Sequence, residues 1–557
     1  MIVVIAGAWT YHWIQEDAFI NVRVIDNLLA GHGPVYNLGE RVEVYSDPLW
    51  LYLVALVHVV LPFFSVEWCA VLLGLAGTGL GVTLAGRAVQ RLGASRHEGL
   101  IIPFGLLIFS VVGGVWEFST SGLEMGLVFL WIGLSFWLVV RTHLCNDRGR
   151  WCAVVVGLGP LIRPELALMV MVFLVTLGAV VYSAERKRGR RIYRHWLGLL
   201  GIAFAAPAAY EVFRMAYFAM IVPNTALAKS AGGSEWTEGL DYLWNFVAPY
   251  TLWLPLCLAA ILMAPFLRTW WSRGDRVGVA VAVCPLIGGI LEGIYVVKIG
   301  GDYMHARLLL PSFCAVCTSI FLPARSLRKM PAAAPAVGIA LWAVTCLAWL
   351  RVPPITFRTQ AINDERSFFV GYSGRSNPMV PADFDHTLTW QVAHHFQELA
   401  ADDSAPQRMQ SGPLGNVGRA KSSLPFRLAV TAPAAGVFGV VAGPRVYVFD
   451  ALSLANPIGS HTNAPVGNRQ GKILGPAWMI ARFSNSGSTL PEPVAAERSI
   501  LAARRALRCS PLSSYLHAIT APTGFSQLMS NVVHAFTYTT MRFSPEPEAA
   551  ATELCGP

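Results

Sequence analysis

Glu16 and Asp17 stand side by side at the exit of the first apolar run of the chain. Ionised groups in or beside a bilayer are costly, so acids at a helix mouth of an apolar protein call for a chemical reading first. Asp26, Glu40, Glu43 and Asp47 follow before Trp50. On a helix, adjacent side chains diverge by about 100°, so the pair divides labour rather than sharing a proton. One carboxylate would take the proton of an attacking hydroxyl while the other orients a sugar hydroxyl or a cation. A solvated loop after a helix is the plain alternative.

Four further segments carry candidate chemistry. In Glu117 to Glu124 (EFSTSGLE), Ser121 and Glu124 fit a capping box, or Glu124 offers a carboxylate to a sugar or acceptor. In Arg163 to Glu165, Pro164 suits a first helical turn, and Arg163 either pairs with Glu165 or faces a lipid phosphate. Lys229 follows a Pro-Asn turn and suits a phosphate as well as a headgroup-level surface. In GGDYMHAR, a helical reading puts Asp302 and His305 one turn apart, as sugar contacts or as two ligands of a divalent ion (Ca, Mg or Mn), with Arg307 ready for an anion. Asp302 as a helix N-cap is the structural alternative. Asp450, His461 and Thr462 sit in a late polar stretch (FDALSLANPIGSHT), where His461 contacts a carbohydrate or is incidental.

The elements that must position these residues are membrane helices. Hydrophobic residues make up 54% of the 557 and charged residues 13%, with a mean hydropathy of +0.50, values of a polytopic membrane protein rather than of a water-soluble globule. At about 20 residues per crossing, about eleven spans are predicted, near 1–14, 66–86, 97–115, 122–140, 151–164, 166–183, 196–218, 247–267, 277–298, 304–323 and 332–350. The first has no basic leader and no cleavage site, so it is expected to be retained. It is short for a span, which suggests that the start is truncated. The net charge of +9 resides in short loops, where topology explains it better than nucleic acid.

If 48–64 lies along the interface, with Trp50 and Tyr52 as aromatic anchors, five basic clusters share one side. These are Arg87, Arg91 and Arg96; Arg141, Arg148 and Arg150; Arg186 to Arg194; Arg268, Arg273 and Arg276; and Arg325, Arg328 and Lys329. The positive-inside rule makes that side cytoplasmic. The motif segments and the chain's exit at 351 then fall on the extracytoplasmic face.

The chain therefore divides into a transmembrane domain, 1–350, with a first outer loop at 15–65, and a soluble α/β domain, 351–557. Helices are predicted near 382–401 and 492–508, strands at Arg427 to Thr431 and Arg445 to Phe449, and frayed residues at Glu546 to Glu553. Ten cysteines show no metal spacing. Only Cys509 and Cys555 lie in the polar third, and if that third faces an oxidising compartment they should be bridged.

The paired acids, the loop GHGPVYNLGERVEVYSDPLW, and TSGLE, RPE, FRMAYFAMIVPNTALAKSAGG, GGDYMHARLLL and VFDALSLANPIGSHT together resemble a type C (GT-C) glycosyltransferase family. It is the terminal arabinofuranosyltransferase B family of mycobacterial and corynebacterial cell walls. The likeness runs from about Trp13 to about Cys555. It implies a decaprenyl-phosphate arabinose donor, no nucleotide cofactor, and an arabinan acceptor of arabinogalactan or lipoarabinomannan that receives a terminal β-1,2-linked arabinofuranose. A monomer is expected. Glu16 occupies the place of the first Asp of the family's Asp-Asp pair, so the base role passes to Asp17 and Glu16 becomes a helper. Arg163, Lys229 and Arg307 would receive the donor phosphate. If donor and product are both β, front-face attack or a two-step route is required. Within the class, another polyprenyl-phosphate sugar transferase, such as a mannosyltransferase, is the rival. From other classes, a lipid-linked sugar transporter would place acids at mid-membrane within inverted repeats, and a silent carbohydrate-binding scaffold would rely on the C-terminal domain.

Overall fold

A computed structural model describes every residue except 96–99, 146, 188–191, 231–232, 325–329, 351–361, 411–416, 433, 468–469, 486–493 and 557. The basic residues Arg96, Arg325, Arg328 and Lys329 lie outside the described residues, as do parts of the 186–194 run. Six described helices are long and apolar enough to cross a membrane: Val66–Ala94, Met125–Cys145, Pro164–Arg186, Tyr193–Phe218, Trp253–Ser272 and Arg276–Lys298. Of the other five predicted spans, four are shorter or broken among the described residues. Residues 97–115 give a two-residue strand, Ile101–Ile102, paired with Leu322–Pro323, and then two seven-residue helices, Phe104–Ser110 and Gly113–Ser119. Pro103 sets the start of the first helix, because proline lacks the N–H a helix interior needs, and the break between the two falls at Val111 and Val112. Ile2–Thr10, Arg150–Ile162 and Arg307–Thr318 are apolar but below 18 residues, whereas Met330–Ala348 is an apolar helix of 19 residues.

The tightest pairing joins Val66–Ala94 to Met125–Cys145. Their seam is built of glycines: a Cβ at Gly81 would strike the Phe129 carbonyl, and one at Gly126 the Gly74 carbonyl. Close backbone approach through small residues replaces the hydrophobic drive that lipid cannot supply. Pro48–Val60 is a 13-residue helix beginning on proline. Trp50 does not anchor it to lipid as expected, since the ring is buried and its Nε1 donates to the Gly122 carbonyl at 3.0 Å. Burial against the turn before Met125–Cys145 satisfies the indole better than the interface would.

The C-terminal unit carries a four-stranded sheet in the order Val417–Arg419, Arg408–Gln410, Leu428–Ala432, Val446–Asp450. The first pair is antiparallel and the others parallel, with Leu428 opposite Val446. Gly436–Ala442 forms the crossover between the last two strands, and Leu388–Ala401 packs against it. The strand Val446–Asp450 is buried along its whole length, because its open edge is covered by the first loop. Asn37 Nδ2 donates to the Val448 carbonyl and Asn37 Oδ1 accepts from Val448 N–H, both at 3.0 Å.

The same loop is clasped elsewhere by its acids. Glu40 pairs with Arg482 at 2.8 Å and accepts from the Tyr447 hydroxyl at 2.9 Å, while Glu43 pairs with Arg214 at 2.6 Å and accepts from Tyr210 at 2.7 Å. The C-terminus is not frayed as expected: Pro547–Cys555 is a helix packed on Val494–Ala506 and joined to Cys509 by a disulfide. That bridge closes a sequence separation of 46 residues, and a crosslink of this span stabilises by about 2–4 kcal/mol through the unfolded state. Cys509→Ser is therefore expected to lower the thermal midpoint of the detergent-solubilised protein, as read by nanoscale fluorimetry, without altering the membrane spans.

Candidate active site

The helix Glu16–Leu29 begins where Gln15, whose N–H donates to the Ser121 carbonyl at 2.9 Å, turns its side-chain carbonyl onto the Asp17 N–H. Asp17 in the first turn benefits from the positive end of the helix. Its side chain enters a cavity of about 850 Å³, whose wall also holds Asn21, Asp47, Glu124, Arg163, Glu165, Lys229, Asp302 and Arg307. The five separated motif segments thus meet around one space.

Two cations flank Asp17. Its Oδ2 lies 3.7 Å from Arg307 and 3.9 Å from Lys229 Nζ, and the Tyr303 hydroxyl donates to it at 3.4 Å. Lys229 also stands over the Tyr303 ring, 5.6 Å from its centre. Arg307 reaches Asp302 at 3.6 Å and Glu124 at 3.8 Å. These are ion-pair separations, longer than hydrogen bonds, and the buried Arg307 Nε has no hydrogen-bond partner among the described residues. Arg307 is electrostatically held but chemically unsaturated.

Arg163 differs. Its guanidinium is divided between short contacts to Glu124 and Glu165, so it braces the wall rather than standing ready for a phosphate, the role expected for it. Burial works against the Glu124 charge, but Arg163 and Arg307 overcome it and hold the carboxyl below its ordinary range. The Ser121 and Glu124 capping box does not form, because the Ser121 hydroxyl takes the Leu123 N–H and Glu124 is drawn to Arg163.

Glu16 faces the other way. A rotation of about 100° about the helix axis carries its carboxylate out of the cavity to the start of Gly436–Ala442, where Oε1 accepts from Gly436 N–H at 2.7 Å and Val437 N–H at 3.2 Å. The expected catalytic helper is a clasp between the two halves of the molecule. Burial first, and the Asp17 charge second, push its pKa up from 4.5 to about 8. An acid raised on folding destabilises the native state increasingly as pH climbs from its unfolded to its folded value. Glu16→Gln, which keeps the acceptor oxygen, is expected to preserve sugar transfer and to flatten the fall in thermal stability between pH 4.5 and about 8.

His305 is also outside the cavity wall. Asp302 to Ala306 is not helical: Asp302 Oδ1 accepts the Tyr303 N–H at 2.8 Å, and Ala306 has φ +66°. A non-glycine residue at positive φ is costly and persists only where its surroundings fix it. Here Tyr242 does so, donating its hydroxyl to the Met304 carbonyl and accepting from Leu308 N–H at 2.9 and 3.0 Å. The turn sends Arg307 inward and His305 back, where Nδ1 donates to Asn245 at 2.7 Å among Phe246 and Tyr250. Asp302 and His305 therefore do not share a ligand sphere, and among the described residues no group of three or more His, Cys, Asp and Glu is placed to hold a metal ion. The Asp302 N-cap alternative fails for the same reason.

His461 lies inside the C-terminal unit, its ring tilted against that of Tyr515 with Nδ1 2.8 Å from the Pro457 carbonyl, and is fully buried. Asp450 organises that stretch by accepting the Leu452 and Ala455 N–H groups, each at 2.9 Å. Asn224 then ties it to the segment before Lys229 through the Ser453 and Leu454 carbonyls, at 3.0 and 2.7 Å.

Three residues on or behind the wall escape sequence reasoning. Asp47 accepts from Asn21 at 3.0 Å, and burial together with the Glu124 charge raises its pKa to about 7. Its one signal is position, an acid just before a proline-led helix. Glu365 sits behind Asp17, pushed up to about 8 by burial and by Asp17 and Asp302. Glu292, within the span Arg276–Lys298, is fully buried and receives the Ser312 hydroxyl. It is an acid within a span, outside the motif segments in the sequence.

Residues 387–553 match the AftB family C-terminal domain. The chain is 31% identical to a terminal beta-(1->2)-arabinofuranosyltransferase of Mycobacterium tuberculosis, covering 97% of this chain and 94% of that protein. It is 28% identical to one of Corynebacterium glutamicum, covering 98% and 86%. Among solved structures, ArnT from Cupriavidus metallidurans bound to undecaprenyl phosphate aligns over 97% of this chain and 87% of that one, with 12% identity and a TM-score of 0.40. Apolar spans around a charged cavity, capped by an α/β unit, define a multi-pass membrane glycosyltransferase. More narrowly, the chain belongs to the terminal β-(1→2)-arabinofuranosyltransferase family.

Proposed function

We propose that this arabinofuranosyltransferase takes its sugar from a polyprenyl-phosphate arabinose, decaprenyl in the reading from sequence, and passes it to the end of an arabinan chain on the extracytoplasmic face. The observation that carries the reading is the single carboxylate, Asp17, set between Lys229 and Arg307 in a cavity framed by membrane helices. A donor phosphate competes with Asp17 for these two cations. Once it has them, the charge that develops on the leaving oxygen is neutralised in a site of low dielectric, and Asp17 is released to accept the proton of an acceptor hydroxyl. Arg163 holds Glu124, Glu124 steadies Arg307, and the Tyr242 hydroxyl fixes the turn that aims it. A lipid donor suits the placement, because its tail stays in the bilayer while only the head enters the cavity.

Membranes bearing the chain, supplied with decaprenyl-phosphate arabinose and a synthetic arabinan, are expected to add one terminal arabinofuranose per chain end. Equal transfer from a nucleotide-linked arabinose would overturn the lipid donor. Arg307→Lys, which keeps charge but loses the planar fork, is expected to raise the apparent KM for the lipid donor more than that for arabinan.

A further inference from the structure

The C-terminal unit contains 33 consecutive residues, Cys509 to Met541, without one Lys, Arg, Asp or Glu. Within them Phe525–Thr540 is a 16-residue helix. Phe525, Met529, Val533 and Phe536 recur every three or four residues, so they fall within about a quarter of the helix circumference, and all four are exposed, Phe525 to 82% and Val533 to 72%. The opposite face is engaged: Asn531 Nδ2 donates to the Ala216 carbonyl at 2.8 Å, and the Thr539 hydroxyl accepts from Ile221 N–H at 2.9 Å. Its partner is therefore the end of the span Tyr193–Phe218, whose own apolar side chains, Leu197, Phe204, Val212 and Phe213 among them, are exposed. The bare stripe continues the exposed apolar surface of that span.

We propose that Phe525–Thr540 is embedded in the outer region of the bilayer, so that the C-terminal unit is a membrane-inserted domain rather than a wholly aqueous one. An apolar stripe on an uncharged helix is stable in lipid and disfavoured in water, and Arg542, the first charge after the stretch, meets the headgroups. A second amphipathic helix, Trp236–Val247, exposes Trp236, Leu240 and Trp244 on one face, the signature of the interfacial aromatic belt. Lys229 lies in the chain between the end of the span Tyr193–Phe218, beside which Ile221 meets Thr539, and the helix Trp236–Val247. The two amphipathic helices together set the membrane surface at the level of the cavity.

The test is a nitroxide on Val533→Cys in the full chain, with the exposed Cys145 and Cys257 replaced by serine, reconstituted in phosphatidylcholine and phosphatidylglycerol nanodiscs. Oxygen, which concentrates in lipid, should collide with the label more often than a water-soluble nickel chelate does. A label at Arg419→Cys, on an exposed strand residue of the same domain, should show the reverse. Nickel access at 533 equal to that at 419 would overturn the proposal. So would a label shielded from both reagents and broadened by a second spin, which would make the stripe a contact between copies. Thermal midpoints matching the unlabelled protein confirm that the variants are folded.

Discussion

Asp17→Asn is expected to lower arabinofuranose transfer by about 10³-fold, within the range that a positioned proton acceptor contributes, while leaving membrane abundance and lipid-donor binding close to those of the unaltered chain. The reason is geometric. Asp17 is the acid flanked by both Lys229 and Arg307, and the amide keeps the hydrogen bond from Tyr303 while losing the basic oxygen. Removing the negative charge also frees both cations for phosphate, so donor affinity should hold or rise as turnover falls. Transfer within tenfold of normal, about 1.4 kcal/mol, would remove Asp17 as the base. The two stereochemical routes separate in Asp17→Gly supplied with azide: an arabinosyl azide inverted relative to the donor marks Asp17 as a covalent nucleophile on the face opposite the phosphate, and an azide of retained configuration, or none, marks a general base.

The second large effect falls on stability. Arg163→Met strips the shared partner from Glu124 and Glu165, and Glu124 is buried. Breaking a buried ion pair from one side costs about 3–5 kcal/mol, and Glu124 keeps in low dielectric, among the described residues, the more distant Arg307 at 3.8 Å. The expected result is a marked drop in the thermal midpoint, with transfer lost as Arg307 follows the displaced Glu124. Arg163→Met combined with Glu124→Gln should recover part of the stability, since the stranded charge is gone, but not the transfer. A single variant as stable as the unaltered chain would show that the pair is dispensable.

Asp17, Glu124, Arg163, Lys229, Asp302 and Arg307 could be picked from the sequence because charge is expensive in this setting and each stands at the end of an apolar run. Their roles were less legible. Distinguishing Asp17 from Glu16 needs the rotational setting of one helix, and that is fixed by Gly436, which is 420 residues away. Pairing Asp302 with His305 presumed helical spacing, whereas the backbone from 302 to 306 is not helical, and the positive φ at Ala306, which parts His305 from Arg307, is announced by no residue type. The acids at 40 and 43 looked like neighbours of the chemistry, yet their partners, Arg482 and Arg214, belong to remote elements that local pattern does not reach. The continuity of the spans was less legible than their number, because hydropathy records which residues tolerate lipid and not where a helix is interrupted, as it is at Pro103.

The covered sheet edge has a consequence for how this protein must be made and handled. Val446–Asp450 is completed by Asn37, a residue synthesised some 400 positions earlier, so the late-emerging half matures on a template that is already anchored. Produced separately, residues 362–557 would present a raw β-edge of the kind that recruits other chains, and would precipitate or pair with themselves. Dissecting the enzyme by truncation would therefore report on that exposed border rather than on the domain's contribution to catalysis.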